Sequence, residues 1–289
     1  MEIREFFENR ERSRPFASYE EYMEYLSACV NEGLNRYLAE MKLIYASGQG
    51  GFKNVLYPDL EIAHDTCLEK LGDFLRDHGS QIEAPAQEEE AVDPELLDLL
   101  GDFVDEAAAG ETQFQEKSAE KELTMEEMLQ YLSDRASLSV KDGISLPLYE
   151  LCRKLDFQPF TVFCFACGIL ASTQTDYAGV FQIINENGSL SAPTIESAAK
   201  VYYGRAFSIT GAYGDMSVCL EQLQPILALQ VQEHMPFSTL VSPDKRMIDF
   251  LFGRTPLNLD ENYIRFFRML TNDEALDPIM ANQRVLEAM

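Results

Sequence analysis

Cys164-Phe-Ala-Cys167 is the pair of residues in this 289-residue chain whose spacing most directly suggests chemistry. A CxxC pair serves redox exchange or metal binding. Redox exchange needs an exposed helix N-terminus to lower the thiol pKa, yet this pair sits inside Phe160–Ala171, the most apolar run of the chain. Structural zinc needs two further ligands, and no second CxxC follows. The pair reads as buried core cysteine, with a thiol hydrolase or redox protein as the alternative. His64, His78 and His234 are scattered. The first two lie fourteen residues apart on one expected helix, so they share a face about 21 Å apart and cannot share a metal. A phosphate-binding loop needs Gly-x-x-x-x-Gly-Lys-Ser/Thr; Lys117 alone precedes Ser or Thr, behind Glu116, and Gly48-Gln-Gly-Gly-Phe-Lys53 has the wrong spacing. No Gly-x-Ser-x-Gly elbow occurs. With forty-nine acids, carboxylate pairs nominate nothing, and solvated surface is their default role. No catalytic, cofactor-binding or metal-binding residue is therefore expected in this chain.

The elements that would position these residues are mainly α-helical. Ser18 with Glu21 has the spacing of a capping box, and Tyr22, Leu26, Cys29, Val30, Leu34, Tyr37, Leu38 and Met41 recur at helical intervals to about Gly48. Pro58 suits the first turn of a second helix bearing Ile62, Cys67, Leu71 and Phe74 and closed by Gly79. Residues 1–80 are thus expected to form a helical hairpin region. Residues 81–123 read as an acidic linker with little to bury. One island interrupts it: Leu96, Leu100, Phe103 and Val104 form an apolar stripe on an acidic helix. Either that helix packs on its own domain, or it docks in a partner's groove.

Residues 124–289 form the third part. Thr124 with Glu127 repeats the capping box. Helices are expected to open at Pro147 and Pro159, to run from Thr175 to Asn185, and to start again at Pro193-Thr194 and end at Gly204. Asp215 is expected to cap a further helix. Ile226–Gln232 and Phe237–Val241 are aliphatic and β-branched and predict a small β-hairpin. Ser242-Pro243 leads a helix closed by Gly253, and two more begin near Asp260 and Glu274. Helices followed by a hairpin make a winged-helix-like unit.

Net charge is −26, and its distribution is uneven. Residues 83–127 hold sixteen acids against Lys117 and Lys121. Such a field repels phosphate backbones, so nucleic-acid binding is disfavoured. The helix from Asp215 to Leu223 carries no Lys or Arg where a DNA-reading winged helix places its bases. A protein-contact role suits these charges better. No apolar run reaches the roughly 20 residues of a membrane span, and Met-Glu-Ile-Arg-Glu starts no secretory signal. With six unpaired cysteines expected, the compartment implied is the cytoplasm.

Residues 144–254 resemble the winged-helix-type N-terminal domain that precedes the ATPase module in a group of bacterial AAA-family ATPases. Pro147-Leu-Tyr-Glu-Leu-Cys-Arg-Lys-Leu-Asp-Phe-Gln-Pro-Phe160 is similar to that family's first helix and turn, followed by the apolar helix to Ala171. Tyr177-Ala-Gly-Val-Phe181, Pro193-Thr194 and Ile248-Asp-Phe-Leu-Phe-Gly253 resemble later motifs in the same order. After the apolar helix the family carries a charged stretch, whereas this chain reads Ser172-Thr-Gln-Thr-Asp176. The resemblance implies a non-catalytic regulatory or substrate-recruiting region of an AAA-type ATPase. ATP and Mg²⁺, and oligomerisation, would belong to a module that would follow residue 289. The partner expected is a protein. A stand-alone adaptor or scaffold with a winged-helix-like fold is the second reading.

Overall fold

Ser18 starts the first helix by accepting the Glu21 backbone N–H on its Oγ at 3.1 Å. The computed structural model describes residues 14–47, 56–79 and 123–253, except 225, 228, 230, 232 and 233. Helix α1 (Tyr19–Ala46) carries the expected stripe: Tyr22, Leu26, Cys29, Val30, Leu34, Leu38 and Met41 are buried, and Tyr37 is half-buried. The Glu21 carboxylate reaches one residue further than a capping box requires and accepts the Ala17 N–H at 2.6 Å. Helix α2 (Tyr57–Gly79) packs along α1. Its inward face is Leu60, Ala63, Cys67, Leu71 and Phe74. Ile62, assigned to that face from the sequence, is 64% exposed. The stripe that fits α1 steps 60, 63, 67, 71, 74, and Ile62 falls outside this seven-residue repeat.

Helix α3 (Met125–Lys141) opens with both arms of the Thr124–Glu127 box formed. Helix α4 (Pro147–Lys154) follows, and Glu150 reaches back to the Leu146 N–H at 3.1 Å. Helix α5 (Pro159–Thr173) is apolar nearly all round, so it has no solvent face to keep. It packs against α1, α3 and the next three helices: α6 (Thr175–Ile184), α7 (Ile195–Tyr203) and α8 (Ile209–Leu223). Full burial of Phe163, Phe165 and Ile169 contributes roughly 1.5–3 kcal/mol each. Because α1 also touches α3 and α7, the hairpin and the later helices share one buried cluster, from Phe16 to Leu251.

Two helix starts differ from expectation. Asp215 does not cap α8. Ser208 does, taking the Gly211 N–H at 3.0 Å, and Asp215 sits within the helix, accepting the Tyr203 hydroxyl. Gly211 and Gly214 are poor helix formers, and the helix runs through them with Ala212, Met216, Cys219 and Leu223 buried. Helix α9 (Lys245–Leu251) is capped by Asp244, whose Oδ1 accepts the Met247 N–H at 2.8 Å, and Gly253 turns the chain at φ +65°.

Among the described residues of 226–241 no strand forms. Ile226 and Leu227 are both buried, so neighbouring side chains point inward and the alternation of a strand is lost. Both N–H groups return to Leu223 O. Pro236–Ser238 is a 3-10 turn. Thr239–Val241 instead meets Pro193–Ile195: Leu240 and Thr194 form an antiparallel bridge, Val241 N–H donates to Pro193 O at 2.8 Å, and Ile195 N–H donates to Thr239 O at 3.2 Å. The segment crosses α5 at Gly168, where a Cβ would lie 2.6 Å from Val241 O. The helices expected near Asp260 and Glu274 lie outside the described residues.

One charged side chain is central to this core. Arg135 of α3 is 1% exposed. Its Nε donates to Arg14 O at 2.7 Å, and Nη2 meets Glu21 Oε1 at 3.3 Å. The guanidinium lies 4.0 Å from the Phe16 ring centroid and 4.6 Å from that of Tyr25. Phe16 N–H donates to Ser139 Oγ at 2.6 Å, so α3 anchors the chain entering α1.

Candidate functional site

Cys164 and Cys167 lie on α5, both fully buried. The Cys164 thiol is held well above its usual range, first by a hydrogen bond with Cys219 of α8 and then by burial. Burial likewise raises Cys167 and Cys152, and pushes Cys67 up to about 12. A thiol in this state is protonated at neutral pH and a poor nucleophile. Cys152 borders a cleft of about 250 Å³ between α1, α3, α4 and α5, beside Tyr22, Tyr149 and Arg153. The cleft could hold a small molecule, but its thiol is not primed to attack one.

The histidines do not converge. His64 Nδ1 lies 3.4 Å from Lys42 Nζ, and burial, with the Lys42 charge, lowers its pKa against a weaker opposing pull from Asp65. His78 Nε2 lies 3.0 Å from Glu24 and stacks at an angle on Phe74. Among the described residues no three His, Cys, Asp or Glu side chains cluster so as to hold a metal ion. None of the described helices is long and apolar enough to cross a membrane. Leu96, Leu100, Phe103 and Val104, and the loop from Gly48, lie outside the described residues.

The surface of α8 is more informative. Its fifteen residues include Asp215 and Glu221 but no Lys or Arg. Ile209 and Tyr213, one turn apart, are 59% and 58% exposed. Met235 and Leu240, on the segment returning from α8, are also exposed. The Tyr213 ring meets Phe237 edge-on at 5.4 Å, which fixes its orientation. Helix α8 packs on α5, and Leu240 of the return segment is bridged to Thr194. Chemically the face offers dispersion contacts and no charge for a phosphate.

The sequence reading missed Ile209 and Tyr213 because it began α8 at Asp215. Ser208 was the available signal: as N-cap it places 209 and 213 on one face of the first turns. No protein-family model, curated protein or solved structure matches the chain.

Proposed function

We propose that this chain is a non-catalytic, partner-recruiting region of an AAA-type ATPase polypeptide, built around a winged-helix-type unit. The motifs of residues 144–254 suggest the family. The element order supports the unit: α6, an extended Pro193-Thr194, α7, α8, then an extended Thr239–Val241 paired back to the first extended segment. In such a unit α8 holds the position of the recognition helix.

The observation that carries the function is the character of α8. A DNA reader presents Lys and Arg there; this helix presents Ile209 and Tyr213 and has no base at all. Its partner is a protein with an apolar patch, docked by burial of that pair together with Met235 and Leu240. ATP-driven work on the partner takes place in a module beyond the residues of this sequence.

Two measurements test the reading. The gene's frame beyond codon 289 should encode a Gly-x-x-x-x-Gly-Lys-Ser/Thr loop; a stop codon there removes the ATPase part and leaves an adaptor. Partners cross-linked to the wild-type chain should be lost with Ile209→Glu/Tyr213→Glu, while the variant keeps its helical content. Retention of the same partners by that variant would refute docking on α8.

A further inference from the structure

The cleft between α1, α3, α4 and α5 has no lining residue from α8 and is independent of the ATPase reading. Its interior is apolar: Leu26 of α1, Leu129 and Leu132 of α3 and Val162 of α5 line it. At about 250 Å³ it falls just below the roughly 300–1,000 Å³ of pockets for drug-sized ligands, so its occupant is smaller.

Three hydroxyls line this space without a hydrogen-bond partner among the described residues: those of Ser133, Tyr22 and Tyr149. Ser133 does not bond back to α3, whereas Ser137 and Ser139 of the same helix donate to Asp134 O at 2.7 Å and Arg135 O at 3.0 Å. Tyr22 and Tyr149 are only 3% and 9% exposed. Unlike the Tyr19 hydroxyl, theirs are not sealed from solvent, and the open space beside them is the cleft. Buried tyrosine hydroxyls ordinarily find a partner; here it has to come from the cleft's contents.

The mouth carries one charge of each sign. Arg153 lies in the last turn of α4, and Asp156 follows three residues later. Both are exposed, and neither side chain is ion-paired or hydrogen-bonded among the described residues. The backbone carrying them is tied down. Asp156 N–H donates to Arg153 O at 3.2 Å and Phe157 N–H to Cys152 O at 2.9 Å. Gln222 of α8 donates to Asp156 O at 2.8 Å and accepts the Gln158 N–H at 3.2 Å.

One ligand chemistry uses all of these groups. A simple anion would be repelled by Asp156, a simple cation by Arg153, and a neutral molecule would engage neither. A zwitterion engages both. The Arg153 guanidinium donates to a carboxylate, Asp156 accepts from an ammonium, the spare hydroxyls serve either group, and an apolar side chain leaves water for the interior. A metal ion lacks a converging ligand set, since among the described residues no such cluster forms. The Cys152 thiol, held well above its usual range by burial, stays protonated and takes no covalent part.

We propose that this cleft binds a free amino acid with an apolar side chain, its carboxylate at Arg153, its ammonium at Asp156 and its side chain against Leu26, Leu129 and Val162.

The test is isothermal titration calorimetry of the full 289-residue chain with L-leucine, which should bind saturably at one equivalent. Each of three probes lacks one feature. 4-Methylpentanoate, without the ammonium, and L-leucinamide, without the carboxylate, should bind at least about fivefold more weakly. Glycine, without the side chain, should bind at least about tenfold more weakly. Arg153→Gln should weaken L-leucine about fivefold or more. Lys154→Gln removes the same charge from the next residue, which does not line the cleft, and should change affinity by less than about twofold. Asp156→Asn supplies a residue that tolerates the φ of +53° at this position and should also weaken L-leucine about fivefold. Ser133→Leu fills the cleft from a position with no hydrogen bond to lose; it should abolish binding and keep the thermal midpoint. The proposal is overturned by absence of saturable L-leucine binding at millimolar concentration, or by equal affinity for any of the three probes. It is equally overturned by equal weakening from Arg153→Gln and Lys154→Gln, by unchanged affinity in Asp156→Asn, or by undiminished binding to Ser133→Leu.

Discussion

Gly168→Ala tests the joint between α5 and the returning segment 239–241. An alanine Cβ at 168 would stand 2.6 Å from Val241 O and 3.0 Å from Val241 Cγ1. The oxygen is backbone and cannot rotate away. Behind it the segment is tied to Pro193–Ile195 by hydrogen bonds of 2.8 and 3.2 Å. Relief therefore requires the bridge to shift or α5 to move within its packing. Overpacking of this kind costs about 1–3 kcal/mol, and each loosened hydrogen bond adds about 1 kcal/mol. Against this, alanine in a helix interior gains about 0.8–1 kcal/mol over glycine. The clash wins, and a net loss of about 1–3 kcal/mol is expected. Gly72→Ala on α2 is the matched control: nothing lies within 4 Å of its Cβ, so only the helix gain remains. Urea unfolding followed by circular dichroism should move the two midpoints in opposite directions. In a thermal melt each kcal/mol corresponds to about 2–4 °C for a domain of this size. A Gly168→Ala protein as stable as the wild type would refute the close approach on which the joint rests.

Two further outcomes follow from buried charge. Arg135→Met removes the partner of Glu21 and the donor to Arg14 O; breaking a buried pair costs about 3–5 kcal/mol. The lower end is expected, because Glu21 retains some exposure and the Ala17 N–H. Glu21→Gln should cost less, and urea curves placing Arg135→Met within about 1 kcal/mol of wild type would contradict the anchoring role. His64 has a folded pKa below its ordinary 6.5, so the unfolded chain binds more protons as pH falls through that value. Its neutral form supports the fold above 6.5, and that support is lost progressively on acidification toward the lowered folded value. Melting across this range should show the wild type losing stability relative to His64→Gln; parallel curves would remove His64 as the source.

Much of the fold was legible because its signals are local. Caps at Ser18, Thr124 and Thr194, prolines at 58, 147 and 159, and Gly204 and Gly253 act on backbone groups within about four residues. They announce where helices begin and end whatever else the chain does. The apolar character of α5 likewise announced a central helix, and with it the burial of Cys164 and Cys167.

Other features depended on contacts distant in sequence. Which face of α2 turns inward, excluding Ile62, was decided by the fit against α1. The partner of 239–241 was decided when α7 and α8 brought Pro193–Ile195 beside it, a pairing across more than forty residues that no local pattern encodes. Helix α8 also runs through two glycines, with Ile209 and Tyr213 exposed together. The sequence by itself determined the mainly helical character, the caps at Ser18, Thr124 and Thr194 and the acidic charge, because each arises from single residues or near neighbours. Only the tertiary structure decided that Tyr22, Ser133, Arg153 and Asp156 would border one cleft, because that requires α1, α3, α4 and α5 to be assembled around it.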